Sequence, residues 1–146
     1  MGNNELISTL DLTDSTSIVF SVSLFHGKKY ISLAKCICGS NSEKPIFAGG
    51  INVLFDHFKE LNDLLTKNTE NILEATEKNI GKIEVKDSEE IQVSIVSYQG
   101  RVGVDIRKYL VNGDAKTPTK KGIRIPIEQA DELLECFESV CDKIGG

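Results

Sequence analysis

No apolar run in this 146-residue chain approaches the roughly 20 residues that a membrane-spanning helix needs. The first residues, Met1 to Leu12, hold Glu5 and Asp11 but no basic cluster, so neither a secretory signal nor a transit peptide is expected there. Cysteine is scarce and poorly spaced for a cross-linked or metal-stapled domain. Cys36, Cys38, Cys136 and Cys141 form two distant pairs without a CxxC. Cys36 and Cys38 read as alternate positions on a strand and Cys136 and Cys141 as helix residues, so buried thiols are expected in preference to a four-cysteine zinc site. Catalytic groupings are also missing. His26 and His57 have no cysteine or serine partner at a recognisable spacing. Gly49-Gly50 lacks the lysine and the spacing of a phosphate loop. These absences predict a protein that is not an enzyme, holds no cofactor or metal, avoids the membrane and works inside the cell, in nucleus or cytoplasm.

What is present is globular. Hydrophobic residues make up 40% and charged residues 27%, enough for a sizeable core. The length suits one ordinary domain, or two fused units too small to be robust alone. An internal likeness favours the second option. Phe25-His-Gly-Lys28 lies over Tyr98-Gln-Gly-Arg101, and Ile31, Leu33 and Lys35 lie over Val104, Ile106 and Lys108, at an offset of 73. After one gap the offset is 72: Gly50-Ile51 meets Gly122-Ile123, and Asp56, Glu60, Leu61, Asp63 and Leu65 meet Glu128, Glu132, Leu133, Glu135 and Phe137.

Each copy reads as strands followed by a helix. A β-rich run (17–24; 91–97) meets an X-Gly pair, His26-Gly27 or Gln99-Gly100, suited to a tight hairpin. A second strand follows (28–38; 101–111). In copy two it alternates, with Val102, Val104 and Ile106 on one face and Arg101, Asp105, Arg107 and Tyr109 on the other. Polar loops, Gly39-Ser-Asn-Ser and Asn112-Gly-Asp, lead to short strands ending at 51–53 and 123–125. Leu54, Phe58, Leu61 and Leu65 form one helical stripe. Ile127, Ala130, Leu133, Leu134, Phe137, Val140 and Ile144 form the other, with Pro126 in its first turn and Gly145-Gly146 at its end. The stretch 69–90 reads as an acidic helical connector, its helix extending through Asn79 and stopping at Gly81. The fold class is therefore α+β. Two tandem ββββα units, 15–68 and 91–146, are expected to pack as a pseudo-two-fold pair within one chain, with further homo-oligomerisation open.

The net charge of −5 hides a segregation. Residues 91–124 carry seven bases and two acids, whereas 125–146 carry one lysine and six acids. Residues 15–50 carry four lysines and one acid. A basic sheet backed by acidic helices attracts a polyanion on one face whatever its overall sign.

Copy two resembles the DNA-binding domain of the transcriptional positive cofactor four family. The resemblance lies in Ser97-Tyr-Gln-Gly-Arg-Val-Gly-Val-Asp-Ile-Arg-Lys-Tyr109, Pro118-Thr-Lys-Lys-Gly-Ile123 and Pro126-Ile-Glu-Gln129. The tandem plan also resembles the plant Whirly proteins and the purine-rich-element-binding repeats. The resemblance implies a curved antiparallel sheet that grips single-stranded nucleic acid. Tyr98, Arg101, Arg107, Lys120 and Lys121 carry over as binding residues. Leu110 departs from the family, which often has tryptophan there. Copy one is the weaker match, with Ala34 for Arg107 and Ala48-Gly49 for Lys120-Lys121.

The expected function is single-strand binding on a basic sheet, as a transcriptional coactivator or regulator acting with DNA, or RNA, and with the transcription machinery. The interface residues are Tyr98, Arg101, Arg107, Lys120, Lys121 and Arg124, with Phe25, Lys28 and Lys29 from copy one. Two readings of these residues stay open at this stage. The cations could form a merely solvated surface, and Tyr98 and Phe25 could cap the core instead of stacking on bases. A protein-interaction scaffold of the same fold is the alternative function. Asp105 is expected to pair with Arg107 or Lys121, and Thr117 and Thr119 are weak phosphorylation candidates.

Overall fold

The computed structural model describes residues 5–37 and 46–145. Strands β1 (Glu5–Asp11), β2 (Thr16–Phe25), β3 (Lys28–Ile37) and β4 (Ile46–Leu54) form one antiparallel sheet in the order β1-β2-β3-β4. Helices α1 (Phe55–Lys67) and α2 (Thr69–Leu73) follow. Strands β5 (Lys78–Lys86), β6 (Glu89–Tyr98), β7 (Arg101–Asn112) and β8 (Ala115–Pro126) form a second sheet in the order β5-β6-β7-β8. A short 3-10 turn (Ile127–Gln129) and helix α3 (Ala130–Gly145) complete the chain. The fold is α+β: two four-stranded antiparallel sheets, each followed by helix.

The two hairpins form where the X-Gly pairs predict them. His26 and Gly27 have φ of 51° and 77°, and Gln99 and Gly100 have 51° and 78°. Two successive positive φ values twist a two-residue loop in the sense the flanking strands require. The pairing is then unbroken from Phe25↔Lys28 to Thr16↔Ile37 and from Tyr98↔Arg101 to Glu89↔Leu110.

Because side chains alternate along a strand, each sheet has an apolar inner face. Ile18, Phe20, Ile31 and Leu33 line one, and Ile91, Val93, Val104 and Ile106 the other. Phe58, Leu61 and Leu65 of α1 and Leu133, Phe137 and Val140 of α3 fill the space between. Phe58 and Phe137 stack with centroids 4.5 Å apart and planes 7° apart, and Phe20 meets Phe137 edge-on at 5.7 Å. Each such buried side chain stabilises by about 1.5–3 kcal/mol. One core therefore runs through both halves.

The helices exchange partners: α1 packs on β5 of the second sheet and α3 on β1 of the first. The Ser8 hydroxyl lies 3.7 Å from Cys136 Sγ on α3, and Gly81 lies against Leu64 of α1. The Gln129 amide donates to the Asp11 carbonyl, and Lys143 Nζ donates to the Ile7 carbonyl at 3.2 Å. Burial pushes the Cys136 and Cys141 thiols above their ordinary pKa.

Several expectations are corrected. The stretch 69–90 is not a helical connector: helix ends at Leu73, and 78–86 is the first strand of the second sheet. Its counterpart β1 lies ahead of residue 15, where no strand was expected. Both strands carry a bulge, between Leu6 and Ser8 and between Asn79 and Gly81. An extra residue turns the period of two into a spacing of three. Ile7 and Leu10, and Ile80 and Ile83, thus all reach the core at a spacing that looks helical. β4 and β8 are longer than the short strands expected, and Pro126 ends β8 ahead of the helical turn. Cys38, the Gly39–Ser42 loop and Gly146 lie outside the described residues.

Candidate nucleic-acid interface

The face of the second sheet turned away from the core carries Tyr98, Arg101, Asp105, Arg107, Tyr109 and Arg124, alternating with the buried Val104, Ile106, Ile123 and Ile125. Tyr98 ends β6 at the hairpin and is 62% exposed, so its ring lies outside the core. The Arg124 guanidinium sits 5.5 Å from the Tyr98 ring centroid, and its Nη2 donates to the Arg101 carbonyl at 3.0 Å. These contacts hold the ring and two cations at one end of the sheet. A 790 Å³ cleft opens there, lined on the second sheet's side by Tyr98, Arg101 and Arg124 and on the first sheet's side by Thr13, Thr16 and Lys35.

Arg107 is differently engaged. Its Nε and Nη2 donate to Asp105 at 3.2 and 3.0 Å, and its Nη1 donates to the Thr119 carbonyl at 2.9 Å. Asp105 thus pairs with Arg107, one of the two partners expected. Arg107 braces a wide bulge in β8, where Thr119, Lys120 and Lys121 stand opposite Lys108 alone. The Thr119 hydroxyl closes the bulge by donating to the Lys108 carbonyl at 2.8 Å. Lys120 and Lys121 are lifted out of the ladder and exposed. Lys121 lines a second groove, of 540 Å³, with Lys108 and with Tyr30, Ser32 and Phe47 of the first sheet.

The sites expected to form one track therefore fall in two places. Arg101, Tyr98 and Arg124 share the cleft at the hairpin end, while Lys121 borders the groove between the sheets. Phe25, Lys28 and Lys29 cluster at the first sheet's hairpin. Phe25 is 55% exposed with its ring 4.1 Å from the His26 imidazole, and both lysines lie near Phe55 and Asp56. Lys35, Tyr30 and Phe47 were not singled out from the sequence. For Lys35, its place opposite Lys108 in the internal likeness was an available signal. Phe47 follows residues outside the described part, and its neighbours Ala48 and Gly49 gave no hint of a groove.

At the far end of the same face lies a buried carboxylate. Glu90 on β6 is 3% exposed. It accepts from Gln92 Nε2 at 2.7 Å and from Lys116 Nζ at 3.1 Å, with Lys82 Nζ at 3.8 Å. Burial pushes its pKa up, but the Gln92 and Lys116 hydrogen bonds and the two lysine charges outweigh it and hold the carboxyl below the ordinary glutamate value. The hydrogen bond to Glu90 raises Lys116 in turn.

An open antiparallel sheet, backed by helices and presenting arginines, lysines and an exposed ring, defines the class: a sheet-based α+β domain with a basic open face. Residues 85–136 match the family model described as Transcriptional Coactivator p15 (PC4). Part of the chain is also similar to crystal structures of a PC4 homolog from Burkholderia pseudomallei. The tetragonal form is 28% identical over 43% of this chain and 94% of that one, with a TM-score of 0.39. The orthorhombic form is 26% identical over 49% and 95%, with a TM-score of 0.42. No curated protein sequence matches the chain.

Proposed function

We propose that the protein binds single-stranded nucleic acid, DNA in the first place, on the exposed face of its second sheet, as a regulator of transcription and without catalysis. The observation that carries this reading is the cluster at the hairpin end, where an exposed Tyr98 ring is flanked by Arg124 and Arg101. An unpaired base can stack on such a ring while the guanidiniums meet its phosphates. Duplex DNA keeps its bases stacked and cannot use the ring. The exposed Lys120 and Lys121 extend the phosphate contacts. The first sheet contributes less, since Ser32, Ala34 and Asn52 stand where the second has Asp105, Arg107 and Arg124.

A second reading, a protein-interaction scaffold, has one observation in its favour: the outward faces of α1 and α3 carry exposed Asp56, Glu60, Asp63, Asp131, Glu132 and Glu135. Fluorescence anisotropy with labelled oligonucleotides separates the two. The binding reading expects saturable binding to a single strand, weakened by salt, with the matching duplex bound at least tenfold more weakly. Equal binding of both would reject the single-strand assignment, and no binding to either would favour the scaffold.

A further inference from the structure

The second sheet's exposed face holds more basic side chains than it offers to a ligand. Lys82 reaches in from β5 and Lys116 from β8, the two edge strands, and both meet Glu90 on β6. Glu90 faces this side opposite Tyr109 of β7, yet its side chain is 4% exposed. One desolvated carboxylate thus meets a cation from each edge, Lys82 being shared with the exposed Glu84 at 3.7 Å. The first half has Ser17 at the corresponding place, 73 residues earlier, and so carries no carboxylate there. Arg101 and Arg124 at the opposite end, and Lys120 and Lys121 at the bulge facing Lys108, have no carboxylate within salt-bridge distance among the described residues.

We propose that Glu90 is a specificity-determining residue that ends the phosphate track. It acts as an internal anion that occupies Lys82 and Lys116, so that a bound strand is held between Tyr98 and the bulge of Lys120 and Lys121 and leaves the sheet before Lys116. This assignment rests on the single-strand-binding reading above. The physical argument is competition. A phosphate gains from a lysine chiefly by neutralising it and releasing counterions. A lysine already paired with a buried carboxylate offers little of that gain, and the carboxylate repels the phosphate. Gln92 holds the carboxylate in place at 2.7 Å, which fixes where the repulsion is felt. The asymmetry sets the footprint on the second sheet and gives the bound strand a defined exit.

Glu90→Gln tests this, because the amide keeps the size of the side chain and can still accept from Gln92. Binding of oligothymidylates of about 6 and about 15 nucleotides, within the usual range of site sizes, is followed as a function of salt. Glu90→Gln is expected to tighten binding of the longer oligonucleotide several-fold, with a log–log salt slope steeper by roughly 0.7 per released lysine, and to leave the shorter one unchanged. The double variant Lys82→Gln/Lys116→Gln, made with Glu90 intact, is expected to leave the slope unaltered. An unchanged slope in a folded Glu90→Gln protein would overturn the proposal. So would a slope flattened by removing the two lysines, for they would then already be contacting phosphate. Native protein that binds neither oligonucleotide would instead overturn the binding reading on which this one stands.

Discussion

Tyr98 shows how the fate of one side chain separates binding from stability. At 62% exposure its ring buries little apolar surface, and its close neighbours are Arg124 and the hairpin backbone rather than the core. Removing it costs the fold little. Tyr98→Ala is therefore expected to weaken single-strand binding by about 1–3 kcal/mol, the contribution of one base stacked on an aromatic ring, while the unfolding midpoint stays in place. Titration and thermal melting of the same preparation check both halves of that statement. A lowered midpoint with unchanged affinity would make the ring a structural cap. The sequence left Tyr98 open between these roles because a residue beside a hairpin glycine can turn either way. The pairing Tyr98↔Arg101 settles its direction by placing it on the face away from Ile95 and Val104. Arg107 was legible as a residue of that face, but its commitment to Asp105 and the Thr119 carbonyl was only half visible, since the bulge that brings Thr119 near leaves no mark in the pattern.

Among the elements, β4 and β8 show the tightest constraint. A Cβ on Gly122 would stand 2.7 Å from the Ile106 carbonyl oxygen and 2.9 Å from Arg107 Cβ, and one on Gly50 would stand 2.3 Å from the Leu33 carbonyl oxygen. These are backbone obstacles in both sheets, just beyond the bulges that hold Ala48-Gly49 and Lys120-Lys121. Gly122→Ala forces β8 away from β7 and is expected to destabilise by about 1–3 kcal/mol, the usual cost of overpacking, as read by urea denaturation. An unaltered midpoint would mean that the strands part freely there. The hairpins and the long helices were legible because the X-Gly turns and the helical stripes have regular periods. The first strand of each sheet was not. Its bulge sets Ile7 from Leu10 and Ile80 from Ile83 by three residues, a helical spacing, and in the second half the acidic stretch around it reinforced that misreading.

At the scale of the whole molecule, charge and core are arranged in opposition. The helices that fuse the two halves through Phe58 and Phe137 carry the acids outward, and the sheets carry the bases on their open faces. The negative total of −5 therefore says little about what approaches the sheets. The halves are also unequal: the second has Arg101, Arg124, Lys120 and Lys121 on or beside its face, and the first has Lys28 and Lys29 at its hairpin tip. The measurement that tests this account most directly compares charge reversals in the two halves. Lys120→Glu/Lys121→Glu and Lys28→Glu/Lys29→Glu are each titrated with a single-stranded oligonucleotide across a salt series. The first pair is expected to cut affinity strongly and alike for all sequences, since phosphate contacts carry no base information, and to flatten the log–log slope by roughly 0.7 per lost contact. The second pair is expected to do clearly less. Equal losses from both pairs would contradict the unequal halves, and no loss from either, in folded protein, would contradict nucleic-acid binding on the second sheet.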